Sequence, residues 1–95
     1  MTQFTFHTDP SHGWLEVPVV DLIAIGFAPS DFSAYSYRQG DVVYLEEDCD
    51  APVFIHTYEA KVGPLSVVEK YSHYTHWIRS LPRIEVIVDD GDLPF

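Results

Sequence analysis

The stretch Val43–Phe54, VYLEEDCDAPVF, changes its hydrophobic period half-way along, and that change decides the fold class. Upstream, Asp41–Glu46 (DVVYLE) reads as a strand with Val43 and Leu45 turned to a core and Tyr44 turned away. Downstream, Ala51, Phe54, Ile55, Tyr58 and Val62 recur at the spacing of one helical stripe, so a helix is expected over 51–62, ended by Gly63-Pro64. Asp50 sits where an N-cap belongs, and Pro52 is tolerable because first-turn N–H groups have no partner within the helix. Between the two patterns Glu46, Glu47, Asp48 and Asp50 place four carboxylates within five residues. A helix start needs one of them, or two, to cap it and complement its dipole.

Outward from this junction the remaining elements are short. Gln3–His7 (QFTFH) alternates, with Phe4 and Phe6 on one face. TDPSHG is a turn signal, and Trp14–Val17 (WLEV) completes an N-terminal hairpin. Pro18 opens an apolar run to Gly26, which reads as a helix over 18–26 with Val19, Leu22 and Ile23 on its buried side. Phe32–Tyr37 (FSAYSY) and DVVYLE flank RQG, a second hairpin with Gly40 supplying a positive φ. Leu65–Tyr71 (LSVVEKY) and Arg83–Val88 (RIEVIV) read as later strands. The expectation is one α+β domain over residues 1–95, an antiparallel sheet with two helices.

The 95 residues suffice for one modest core, and 46% hydrophobic with 15% aromatic content belongs to folded chains. No apolar run approaches the roughly 20 residues that span a bilayer, and the N-terminus lacks a signal-peptide pattern. The single Cys49 excludes an internal disulfide and points to a reducing, cytoplasmic setting. Fifteen acidic residues against five basic give a net charge of -10. Phosphates and anionic lipid would be repelled, so no direct nucleic-acid or membrane contact is expected, whereas proteins with basic surfaces are permitted partners.

Catalytic and metal signatures are weak. The five histidines include His7, His12, His73 and His76, but no second close His or Cys pair completes a zinc set. Asp48-Cys49-Asp50 begins a D-x-D pattern, yet Ala51 and Pro52 stand where a calcium loop needs oxygens and glycine. The carboxylates around Cys49 oppose thiolate formation, and a buried or half-buried structural thiol is the expectation there. No Gly-x-Ser-x-Gly elbow, phosphate-binding glycine loop or dinucleotide fingerprint occurs. No metal, cofactor or catalytic residue is assigned. Glu46, Glu47, Asp48 and Asp50 form one acidic cluster, and Asp89, Asp90 and Asp92 a second near the C-terminus. Two solvated loops would account for both, as would a broad negative patch if the fold joined them beside Asp31 or Asp41.

The phrases FHTDPSHGWLEVP, YSYRQGDVVYLEEDCDA and IRSLP resemble a family of small proteins encoded by bacterial phages, plasmids and other mobile elements. The resemblance runs from residue 4 to about 82, and the C-terminal RIEVIVDDGDLPF departs from it. The family has no assigned activity, so no residue role carries over. Small acidic proteins of mobile elements are often inhibitors of host defence, and anti-CRISPR proteins that imitate DNA are one such class. The resemblance therefore implies a non-enzymatic inhibitor, a monomer or dimer, that covers a basic DNA-recognition surface of a CRISPR-Cas effector, type I by preference. Its expected contacts are Glu46, Glu47, Asp48 and Asp50, then Asp89, Asp90 and Asp92. A metal-dependent or small-molecule enzyme using the histidines, and an accessory or regulatory protein of the element, stand as the alternatives.

Overall fold

In a computed structural model the described residues are 3–72 and 77–84. They form a five-stranded sheet with two α-helices and two single-turn 3-10 helices, an α+β architecture. The strands are β1 (Gln3–Thr8), β2 (Gly13–Pro18), β3 (Tyr37–Gln39), β4 (Val42–Glu46) and β5 (Ser66–Tyr71), in the sheet order β3-β4-β2-β1-β5. Helix α1 spans Val19–Ala24 and α2 spans Ala51–Lys61.

The N-terminal hairpin forms as expected, and the second forms with a shifted first strand, since Tyr37–Gln39 rather than Phe32–Tyr37 pairs with β4. β1 and β2 pair antiparallel across the Asp9–His12 turn, in which Asp9 Oδ1 accepts from the backbone N–H of Ser11 and of His12. At that turn Gly13 leaves room for the Phe6 ring, which would lie 2.7 Å from any Cβ placed there. β3 and β4 pair across Gly40-Asp41, with Gly40 at φ +60°. The expectation of an antiparallel sheet holds for three of the four strand pairs. β1 and β5 instead run parallel, Gln3 opposite Ser66 through to Thr8 opposite Tyr71. The cause is α2: it carries the chain from β4 across the sheet to the far side of β1, and such a crossover delivers a strand parallel to its start.

Strand alternation then fixes two faces. Phe4, Leu15, Val17, Val43 and Leu45 meet Ala51, Phe54 and Tyr58 of α2, with Leu22 of α1 and Ile25 just past its end closing the margin. Phe4 stands edge-on to Phe54 and Tyr58 at 5.5 and 5.4 Å. Burial of these side chains stabilises the fold by about 1.5–3 kcal/mol each before conformational entropy is set against it. The opposite face carries Trp14, Tyr37 and Tyr44, covered by Ile78 from the 3-10 turn Trp77–Ser80. Tyr44 thus turns away from the first core, as its place between Val43 and Leu45 requires, but enters a second one.

Several boundaries differ from the sequence expectation. α1 is shorter than 18–26. It ends when Gly26, at φ +100°, returns its N–H to Ile23, and Ile25 rather than Ile23 is buried. Val62 lies beyond α2 and is exposed. Phe32–Ser36 is not a strand. A turn closes there, with the Ser36 N–H on the Ser33 carbonyl, because both serines bind Asp50. From the expected strand 83–88, Arg83 bridges Tyr37 antiparallel, and residues 85–88 lie outside the described residues.

Candidate functional site

The loop between β4 and α2 holds the first acidic cluster, and the fold divides it. Glu46 is the last residue of β4, on the face shared by Tyr44, and is buried. Its Oε1 accepts from the backbone N–H of Asp48 at 3.0 Å and of Cys49 at 2.9 Å, while its own N–H donates to Ser36 Oγ at 2.9 Å. Asp50 is the N-cap residue by position, but its side chain makes no capping bond. Oδ2 instead accepts from the Ser33 N–H at 3.0 Å, from Ser33 Oγ at 2.7 Å and from Ser36 Oγ. It is as buried as Glu46.

These two carboxylates therefore hold the 33–36 turn and the 47–49 loop together, and their hydrogen bonds account for their burial. The expectation that all four carboxylates form a contact surface is corrected to this extent: Glu46 and Asp50 face inward, and only Glu47 and Asp48 are exposed. The second expected cluster, Asp89, Asp90 and Asp92, lies outside the described residues. Asp41 is exposed in the β3–β4 turn, and Asp31 accepts the Ala28 N–H at 2.8 Å.

Beside this loop opens a cleft of about 310 Å³ whose lining includes Trp14, Tyr37, Glu46, Asp48, Arg79 and Arg83. Trp14 and Tyr37 are buried side chains of the second aromatic face, and each carries a guanidinium. Arg79 lies 5.2 Å from the Trp14 ring centroid and Arg83 4.8 Å from that of Tyr37. Arg79 also makes a two-pronged contact with the buried Asp9, Nε to Oδ2 at 3.0 Å and Nη2 to Oδ1 at 3.2 Å. The hydrogen bond to Asp9 is the first cause that holds the Arg79 pKa above its ordinary value. This pair ties the β1–β2 turn to the 3-10 turn over the aromatic face. It escaped sequence reading because the partners are 70 positions apart, although the Asp-Pro turn marked Asp9 as a hydrogen-bonding residue.

Cys49 is exposed on the cleft rim, against the expectation of a buried structural thiol. Desolvation in the cleft comes first among the causes that raise its pKa. A hydrogen bond to Glu46 and the charges of Glu46, Asp50 and Asp48 add to it. The thiol is reachable but held in its weakly nucleophilic form.

The histidines are placed apart in function. His7 is buried with Nε2 2.7 Å from Glu16 Oε1, its ring edge-on to Tyr44 and Trp77. His12 is exposed and stacks on Trp14, with Nδ1 3.2 Å from Arg79. Among the described residues no three His, Cys, Asp or Glu side chains converge as a metal set, and His73 and His76 lie outside those residues. Among the same residues no helix is long and apolar enough to cross a membrane. Comparison with protein-family models, with curated proteins and with solved structures returns no match.

Proposed function

We propose that this protein is a non-enzymatic inhibitor of host defence carried by a mobile element, acting by binding a basic DNA-recognition surface, that of a type I CRISPR-Cas effector by preference. The observation that carries this reading is the imbalance of free charge. Four of the five basic side chains are engaged within the chain: Arg38 on the Gly40 carbonyl, Lys61 on that of Ile25, Arg83 on that of Ala34, and Arg79 on Asp9. Among the described residues Asp9–Arg79 is the one ion pair between a carboxylate and a Lys or Arg. The net charge of -10, which already counts these five cations, is left for an outside cation to answer.

Glu47 and Asp48 present that charge beside the cleft, where the engagement of Glu46 and Asp50 fixes the loop that carries them. A loop held in place before binding loses little entropy on contact. Lys and Arg of the partner would pair with these carboxylates, with association steered by charge and weakened by salt.

The test is capture from a host lysate on the immobilised full chain, followed by elution with duplex DNA. DNA-binding proteins that leave the resin with the duplex are the expected result. Retained proteins that bind no nucleic acid, or that DNA does not displace, would overturn the reading.

A further inference from the structure

The cleft beside the acidic loop carries charges that the chain does not answer from within. Glu46 is buried, and both backbone N–H groups that it accepts fall on Oε1, so Oε2 takes no backbone bond while the side chain lines the cleft. Asp48 lines the cleft as an exposed carboxylate. Neither forms an ion pair with a Lys or Arg among the described residues. The chain's own residues 85–95 contain four acids and no Lys or Arg, so they bring no such cation.

Two guanidinia share the cleft, and they are not equivalent. Arg79 is matched by Asp9, one charge against one. Arg83 lies over the Tyr37 ring and donates Nη1 to the Ala34 carbonyl, and among the described residues no carboxylate is paired with it. Stacking on a ring holds the guanidinium plane and leaves its edge able to bond. The Nε–Nη2 edge of Arg83 is one that takes a carboxylate by two parallel bonds. The cleft thus holds one unmatched positive group beside two unmatched negative ones.

A complementary ligand has one carboxylate and two cationic groups. Its volume of about 310 Å³ puts the cleft at the small end of ligand sites, which run from roughly 300 to 1,000 Å³. Nucleotides and inorganic phosphate have no strong cation for Glu46 and Asp48, and polyamines have no anion for Arg83. We propose that the cleft binds a free basic α-amino acid, its carboxylate on Arg83 and its two cationic groups shared between Glu46 and Asp48. Tyr35, 62% exposed in the lining, offers its ring to the ligand's side chain. This binding needs no protein partner.

Calorimetric titration of the full chain with L-arginine in about 0.15 M salt tests this. Saturable one-to-one binding with Kd at or below about 1 mM is expected. Agmatine, which is arginine without its carboxylate, should bind about tenfold more weakly because Arg83 loses its partner. Simple attraction to a chain of net charge -10 gives the opposite order, since agmatine carries the larger positive charge. Asp48→Asn should weaken arginine binding about tenfold. Glu59→Gln removes the same charge from an exposed position of α2, and should leave binding within about twofold. Arg83→Gln should lower arginine to about the affinity of agmatine. Far-UV circular dichroism checks that each variant is folded. No saturation by arginine, agmatine bound as tightly as arginine, equal losses at Asp48 and Glu59, or inorganic phosphate bound in preference would overturn the proposal.

Discussion

Glu46 and Asp50 differ from Glu47 and Asp48 in nothing that composition records, yet the fold gives the two pairs opposite tasks. The inward pair is buried, and its carboxylates accept five hydrogen bonds from Ser33, Ser36 and the 48–49 backbone, which close around it; the outward pair leaves its charge in water. The lesson is that an acidic run can be scaffold and surface at once. Each buried carboxylate fixes the geometry in which its exposed neighbour is displayed.

The largest effect should come from emptying the inward pair. Asp50→Ala removes the acceptor of two serine hydroxyls and one backbone N–H in a buried setting, and should cost about 3 kcal/mol in urea unfolding. Glu46→Ala should follow at about 2 kcal/mol, because the Asp48 and Cys49 N–H groups lose their acceptor. Glu46→Gln keeps a carbonyl oxygen for those donors and should fall between that variant and the wild type. Asp48→Ala and Glu47→Ala should each stay within about 0.5 kcal/mol of the wild type. Equal losses across all four sites would erase the distinction between the pairs.

The aromatic face offers a second comparison of the same kind. Asp9 is buried against the partly exposed Arg79, so Arg79→Ala leaves a buried carboxylate without its cation and should cost about 2 kcal/mol. Lys in place of Arg79 should restore only part of it, since an ammonium cannot reproduce the two-pronged contact or lie flat over Trp14. The smallest effect concerns Cys49. Its raised pKa means less thiolate at a given pH, so iodoacetamide should label it more slowly at pH 8 than it labels an unstructured cysteine peptide. Glu46→Gln should speed labelling by removing both the hydrogen-bonded charge and its repulsion of the thiolate. Labelling as fast as the peptide would show that the inward carboxylate does not act on the rim.

Much of the fold was legible because local signals carry it. The Val43–Leu45 alternation, the Ala51–Phe54–Tyr58 stripe and the Gly40 turn are all short-range patterns, and each takes the predicted form. The parallel β1–β5 pair was not legible, because nothing in LSVVEKY says on which side of the sheet a strand returning from α2 will dock. The second aromatic core was partly legible: Trp14 and Tyr44 occupy the positions that alternate with Leu15 and Val43, where a solvated face would carry polar residues.

The candidate site was read less well than the fold. Spacing marks Asp50 as a cap, but only the turn at Ser33–Ser36, folded against it from 17 and 14 positions away, shows where its carboxylate goes. The exposure of Cys49 likewise depends on which way the loop is pulled by Glu46. Side-chain hydrogen bonds between distant segments decide both, and periodicity does not record them.

The central claim is that Glu47 and Asp48 act as the exposed charge of a loop built by Glu46 and Asp50. It is tested most directly by the double reversal Glu47→Lys/Asp48→Lys, measured for binding to the captured DNA-binding partner and for its melting temperature. The account predicts binding lost by at least 100-fold, on the order of two adverse charge contacts, with a melting temperature close to that of the wild type. Binding that survives the reversal in a folded protein would contradict it.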